Sequence, residues 1–195
     1  MARRFYEIAF TEQVKQAQRE QGVRDAARRM ESTAVDDTRL DPDTTAFIAQ
    51  RDSFYMASVM QNGWPYLQHR GGPPGFVKRL DDRTLAFADY GGNRQLLSTG
   101  NLRGDDRSAL FFMDYALRAR LKLLARVHVH QAEDRPELVE RVQDPGYRAR
   151  VERVFVLHVE ALDWNCPQHI TPRYTEAEWE AIQRVRPSLA LSKNR

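Results

Sequence analysis

Phe54-Tyr55-Met56-Ala57-Ser58-Val59-Met60-Gln61-Asn62-Gly63-Trp64-Pro65-Tyr66-Leu67-Gln68-His69 is the stretch on which the fold turns. Two runs rich in aromatic and apolar residues flank Asn62-Gly63, a dipeptide that adopts φ > 0 easily and so closes tight hairpins. Residues 54–61 and 64–69 therefore read as paired antiparallel strands. Further along, residues 75–80 form a strand, Asp81-Asp82-Arg83 a turn, and 84–89 the next strand. Residues 94–101 suggest a short helix or turn, and 108–115 another strand. Residues 122–131 alternate strictly. Leu123, Ala125, Val127 and Val129 share one face, while Lys122, Arg126, His128 and His130 share the other. Residues 153–162 make the last long strand. Strands follow one another without helical crossovers, which favours an antiparallel barrel over a parallel sheet.

The flanks are helical. Residues 11–30 read as one helix capped by Thr11, with Val14, Ala17, Val23 and Ala26 as a weak apolar face. Asp41-Pro42 opens a short helix to residue 50, with proline at its first position. Residues 136–142 form a short helix that Asp144-Pro145-Gly146 breaks. Thr175-Glu176-Ala177-Glu178 is a capping box opening a C-terminal helix. The expected division is a helical extension over 1–50, a barrel over 51–165, and a tail and helix over 166–195, all in one domain. The class is mainly β with short peripheral helices.

Composition narrows the function. The chain has 195 residues, 42% hydrophobic and 29% charged, which is enough for a packed core and typical of a globular protein. No apolar run approaches the roughly 20 residues of a membrane helix, and no apolar segment follows the arginines of Met1-Ala2-Arg3-Arg4-Phe5 as in a secretory signal. The net charge of +3 permits an acidic ligand without demanding nucleic acid. The single cysteine, Cys166, rules out an intrachain disulfide and points to a reducing, cytoplasmic setting. It also rules out a metal site made of several cysteines.

Three stretches carry candidate chemistry. In Asp89-Tyr90-Gly91-Gly92-Asn93-Arg94, glycines let the backbone approach a ligand and turn its N–H groups inward. Asn93 adds amide donors and Arg94 a fork for phosphate. The other reading is a surface turn with a solvated arginine. His69-Arg70-Gly71-Gly72-Pro73-Pro74-Gly75 is stiff in its middle and flexible at its ends, so His69 and Arg70 leading in and Lys78 leading out can frame a flat ring. The other reading is a long hairpin connection. Arg118, Arg120, Lys122 and Arg126 lie close together without an acid among them, as a positive wall or as a solvated strand face. Cys166 and His169 have a C-x-x-H spacing with no second pair to complete a metal site. Trp164 is a packing or ring-stacking residue, and no catalytic acid or base stands out. A basic rim around a flat-ring site suits flavin mononucleotide (FMN).

The residues that carry a family likeness are Asp52-Ser53-Phe54-Tyr55, Trp64-Pro65-Tyr66, His69-Arg70-Gly71-Gly72-Pro73-Pro74-Gly75-Phe76, Phe87-Ala88-Asp89-Tyr90 and Gly92-Asn93-Arg94-Gln95. Together they resemble the pyridoxamine 5'-phosphate oxidase-like proteins, which are FMN-binding split β-barrels. The His69 to Phe76 loop and the tail Asp163-Trp164-Asn165-Cys166-Pro167-Gln168-His169-Ile170-Thr171-Pro172-Arg173 resemble one subgroup of them.

The resemblance implies a homodimer with FMN between its subunits and an oxidoreductase role toward a small-molecule substrate or electron donor. It implies that Val77 and Lys78 lie near the flavin, and that Asp89, Tyr90, Asn93 and Arg94 hold its phosphate. Arg120 and Lys122 stand where the oxidase has a flavin-facing Gln-x-Arg pair. Gln168, His169 and Arg173 fall near, without matching, the Arg-x-His that grips pyridoxal phosphate, so a different substrate is expected. Other split barrels take a deazaflavin (F420) or haem, or hold flavin without turnover, and both stay open at this point.

Overall fold

A computed structural model describes residues 3–164 and 167–192. One antiparallel sheet organises them. Its strands are β1 (Ser53–Val59), β2 (Pro65–Gly71), β3 (Val77–Arg79), β4 (Thr84–Tyr90), β5 (Arg107–Asp114), β6 (Ala119–Gln131) and β7 (Val151–Trp164), in the order β2-β1-β5-β6-β7-β4-β3. The β1–β2 hairpin turns at Gly63, which adopts φ +85°. The ends of the strand order, β2 and β3, are not paired with each other, so the sheet curls without closing. This is the open-seamed antiparallel barrel expected from the sequence.

The inner face holds the core. Phe54, Phe76, Phe87, Phe112 and Phe155 are each at most 1% exposed. Phe54 stacks on Phe112 at 4.8 Å, and Phe87 on Phe155 at 4.9 Å. Burial of one such ring stabilises the fold by roughly 1.5–3 kcal/mol, so this aromatic cluster is the main cement of the barrel. On β6 the predicted apolar face, with Leu121 added, points inward.

Helices flank the sheet, with Ile48 of the fourth helix and Leu102 of the fifth joining the inner core. These are α1 (Arg4–Ala9), α2 (Glu12–Glu20), α3 (Arg24–Ser32), α4 (Pro42–Ala49), α5 (Leu97–Gly104), α6 (Pro136–Val142) and α7 (Glu176–Ser192). Phe5 and Tyr6 of α1 pack on Ala161. Leu138 and Val142 of α6 pack on Ala86, Ala88 and Val154. Two buried carboxylates tie α1 down. Asp37 accepts from the Arg4 and Phe5 backbone N–H groups, and Asp163 from Arg3 at 2.9 Å and from the Tyr6 hydroxyl at 3.2 Å. Among the described residues, no helix is long and apolar enough to cross a membrane.

Several boundaries differ from expectation. Residues 11–30 are not one helix. Gly22, at φ +68°, ends α2 with bonds from Gly22 N–H to the Arg19 carbonyl and Val23 N–H to the Gln18 carbonyl, and α3 starts afresh. Helix α5 starts at Leu97 rather than 94, because Arg94 and Leu96 have left-handed φ values of 59° and 56°. Strand β3 is only three residues long because the glycine–proline loop before it folds onto the α4–β1 junction. There Gly72 N–H donates to the Asp52 carbonyl and Gly75 N–H to the Arg51 carbonyl. That loop is a structural staple. The expected capping box is present: Thr175 N–H donates to Glu178 Oε2 at 2.8 Å, and Glu178 N–H to Thr175 Oγ1 at 3.3 Å.

Candidate functional site

Strand alternation decides what each face offers. On β2, Tyr66, Gln68 and Arg70 pair with inward Ser58, Met56 and Phe54, so they point to the inner side. Arg70 crosses the open seam to β4, where its Nη1 donates to Asp89 Oδ1 at 2.6 Å. Its guanidinium also lies 4.7 Å over the Phe155 ring. From β7, Arg153 Nε donates to the other oxygen, Asp89 Oδ2, at 2.7 Å. One aspartate thus sits between two arginines, all three side chains about nine-tenths buried. Burial holds the Arg70 guanidinium below its ordinary pKa, against the opposing pull of Asp89. Its buried Nε has no hydrogen-bond partner. A β-bulge follows directly on this pair. Asp89 pairs with Arg153 but Tyr90 pairs with Val151, leaving Glu152 as the extra residue beside the site.

The rim is the loop over residues 91–96 and the start of α5. A Cβ on Gly91 would lie 3.1 Å from Glu152 Oε1, a close contact that a small shift of the glutamate end would relieve. Asn93 accepts from Gln95 N–H, and Ser98 donates to Gln68 Oε1 at 2.6 Å, joining α5 to β2. These parts enclose a cavity of about 210 Å³ lined by Arg70, Asp89, Tyr90, Asn93, Arg94 and Arg153, among others. Burial, with Asp144 adding to it, raises the Tyr90 phenol pKa.

A second cavity, about 630 Å³, opens on the outer face. Tyr55 of β1, Leu67 of β2, and Phe111 and Met113 of β5 form its floor. Arg120 and the tail residues His169, Ile170 and Arg173 form its wall.

The expected site residues thus divide. Arg70, Asp89, Tyr90, Asn93 and Arg94 meet at the inner cavity; Arg120, His169 and Arg173 meet at the outer one. His69 and Arg70 do not frame one ring site within the chain, because neighbouring strand residues face opposite ways, and His69 contacts Tyr55 on the outer side at 5.7 Å. Val77 is buried in the core, and Lys78 lies opposite Ala86 on the α6 side. The positive wall on β6 is largely matched by acids: Lys122 Nζ lies 3.5 Å from Asp163, and Arg126 pairs with Asp106 and Glu160. Trp164 meets Phe47 edge-on at 4.7 Å, and Gln168 is exposed. Cys166 lies outside the described residues. His128 faces His158 at 5.6 Å, yet no group of three metal-ligating side chains forms among the described residues. Sequence reading missed Arg153. Its signal was a charge at the inward end of a strand whose next inward residues, Phe155 and Leu157, are apolar.

Comparison with known proteins follows the same outline. The family model described as pyridoxamine 5'-phosphate oxidase matches residues 40–164. No curated protein matches significantly. Among solved structures, a putative pyridoxamine 5'-phosphate oxidase from Lactobacillus delbrueckii is 16% identical, with a TM-score of 0.51 over 66% of this chain and 97% of that one. HupZ of Group A Streptococcus is 14% identical over 69% of this chain and 98% of that one, with a TM-score of 0.49. An FMN-binding protein from Syntrophomonas wolfei is 12% identical over 75% and 96%, with a TM-score of 0.44. At 16% identity the likeness to the Lactobacillus protein is one of fold.

Proposed function

This chain belongs to the pyridoxamine 5'-phosphate oxidase family, and on that premise we propose that it is a cytoplasmic homodimer that binds FMN and acts as an oxidoreductase. The observation that carries the reading is the pair of buried arginines sharing Asp89 at the inner cavity, with Arg94 at its rim. Arg153 Nη2 also lies 3.0 Å from Glu152 Oε2, so the two buried guanidiniums are matched by two carboxylates, and Arg94 at the rim is the cation that a phosphate monoester would meet. Arg70, Asn93 and Arg94 would hold the phosphate, with the residue 91–96 loop supplying backbone donors.

The cavity's size supports a dimer. Small-ligand sites span roughly 300–1,000 Å³, and this one, at about 210 Å³, holds only part of a flavin. Leu96 and Leu97 at its rim are 45% and 39% exposed, the kind of apolar edge a second subunit covers. When bound, flavin supplies the hydride and electron chemistry, and the chain supplies orientation and charge. The resemblance lacks the Arg-x-His that grips pyridoxal phosphate, which favours a substrate other than pyridoxamine phosphate.

The test is the visible absorption spectrum of the purified protein, followed by denaturation and mass identification of what is released. Released FMN, with flavin bleaching on addition of a nicotinamide donor, supports the reading. A released deazaflavin or haem overturns the cofactor, and a colourless protein that does not bind added FMN overturns the flavin reading altogether.

A further inference from the structure

We propose that the notch between α5 and the open edge of β6 is a further ligand site, one that takes a small oxyanion of the phosphate class, as the free ion or as a monoester. The notch follows from strand lengths. β5 pairs with β6 only as far as Arg107 opposite Arg126, whereas β6 runs on to Gln131 beside β7. Val127 N–H donates to the Asp106 carbonyl, so by alternation Val129 N–H points from the same edge, where β5 has not begun. Helix α5 stands across the gap. The space left is about 320 Å³, lined by Thr99, Leu102 and Arg103 of α5 and by β6 from Val127 to Gln131. That volume suits a small molecule. Thr99 also lines the inner cavity, so the start of α5 is the wall between the two spaces.

Its lining sets the class. Arg103, His128 and His130 are its ionisable side chains, and no acid lines it among the described residues. The carboxylates that follow α5 are already matched: Asp105 holds Arg107 at 2.6 Å, and Asp106 holds Arg126 at 2.7 Å. Arg103 has no carboxylate within ion-pair distance among the described residues. Its fork suits a phosphate, with Thr99, Gln131 and the Val129 N–H as neutral donors beside it. His130 shows the same imbalance of charge. Burial disfavours its cationic form, Arg135, His128 and His158 repel it further, and Glu137 of α6 opposes them. A dianion in the notch supplies the missing counter-charge. It therefore binds with proton uptake, and more tightly at about pH 6 than at about pH 8.

The experiment follows the histidine imidazole resonances of the full-length protein by NMR in a phosphate-free buffer. Inorganic phosphate, and separately glucose 6-phosphate, is added, with sodium chloride at equal ionic strength as the control. The expected result is a saturable shift of His128 and His130, about tenfold weaker in Arg103→Gln, with the His130 midpoint raised by the bound anion. Arg94→Ala, at the inner cavity, should leave these shifts unchanged, and Arg103→Gln should leave FMN content unchanged. Either ligand supports the proposal: tighter binding of the sugar phosphate gives the rest of the notch to its carbon skeleton, and tighter binding of the free ion gives the site to phosphate alone. Shifts that never saturate, or that chloride reproduces, overturn it, as does equal affinity in wild type and Arg103→Gln. Loss of the shifts in Arg94→Ala also overturns it, because it places the anion in the inner cavity. A protein that never binds FMN yet shows the Arg103-dependent shifts retains this site and fails only the flavin reading.

Discussion

Arg70 Nη1 and Asp89 Oδ1 lie 2.6 Å apart, joining β2 at one end of the strand order to β4 beside the other end. No strand pairing spans that seam, so side chains bridge it. Because Asp89 also holds Arg153, Asp89→Asn removes the carboxylate that both guanidiniums share and takes away the ion-pair partner of Arg70, while Arg153 keeps Glu152 at 3.0 Å. The expected loss is roughly 3–5 kcal/mol, read as a fall in the urea midpoint. Added phosphate should restore part of it. A loss below about 1 kcal/mol would show that water already screens the cluster.

Arg94 and Lys122 separate a ligand-holding cation from a structural one. Arg94 is on the rim of the inner cavity, while Lys122 is held near Asp163, itself bonded to Arg3 and Tyr6. Arg94→Ala is expected to weaken FMN about tenfold. Lys122→Ala should change affinity by less than about twofold, at the scale of a partly exposed pair. Flavin fluorescence quenching measures both. An unchanged affinity in Arg94→Ala would remove the inner cavity as the phosphate site.

Gly75 and Gly63 both have positive φ, 77° and 85°, but different surroundings. A Cβ on Gly75 would lie 2.9 Å from the Ala49 carbonyl oxygen, whereas one on Gly63 meets nothing within 4 Å. Gly63→Ala should cost about 1–2 kcal/mol from backbone strain alone. Gly75→Ala should cost clearly more, since it also pushes the loop off α4. Thermal melts of the two variants test the order, and equal losses would refute the staple role of the loop.

His130 titrates below its ordinary value, chiefly because burial disfavours its charged form, with Arg135, His128 and His158 adding repulsion and Glu137 opposing them. As pH falls through 6.5, the unfolded chain takes up this proton before the folded chain does. Stability is therefore lost from about pH 6.5 down to the folded pKa. His130→Gln should flatten that slope in pH-dependent denaturation, and an NMR titration of His130 should give a midpoint below 6.5. A midpoint at or above 6.5 would contradict the arrangement.

What was legible in the sequence was local. Asn62-Gly63 gave the hairpin, though its turn takes in Gln61 as well and sets Val59 opposite Pro65; Thr175 and Glu178 gave the capping box, and the β6 alternation its buried face, because each depends on residues only a few positions apart. The split between Arg70 and His69 was readable in the same way, since period two sends neighbours to opposite faces, but the glycine–proline loop drew both into one motif. The partners of the β6 cations were not readable. Asp163, Asp106 and Glu160 come from other parts of the chain and meet Lys122 and Arg126 only once strands pair. Arg153 was hidden for a related reason: it faces Asp89 only through pairing of distant strands.

The bridged seam also bears on the order in which the chain folds. Tyr55 pairs with Phe111 and Thr84 with His158, so both flanks of the sheet depend on contacts between distant segments, which form slowly. The Arg70–Asp89 bridge needs both flanks in place and therefore belongs to the last stage of folding. Arg70→Met is accordingly expected to speed unfolding while leaving the refolding rate nearly unchanged, and a chevron analysis would show it. An anion held at the bridge would then act mainly by prolonging the lifetime of the finished barrel.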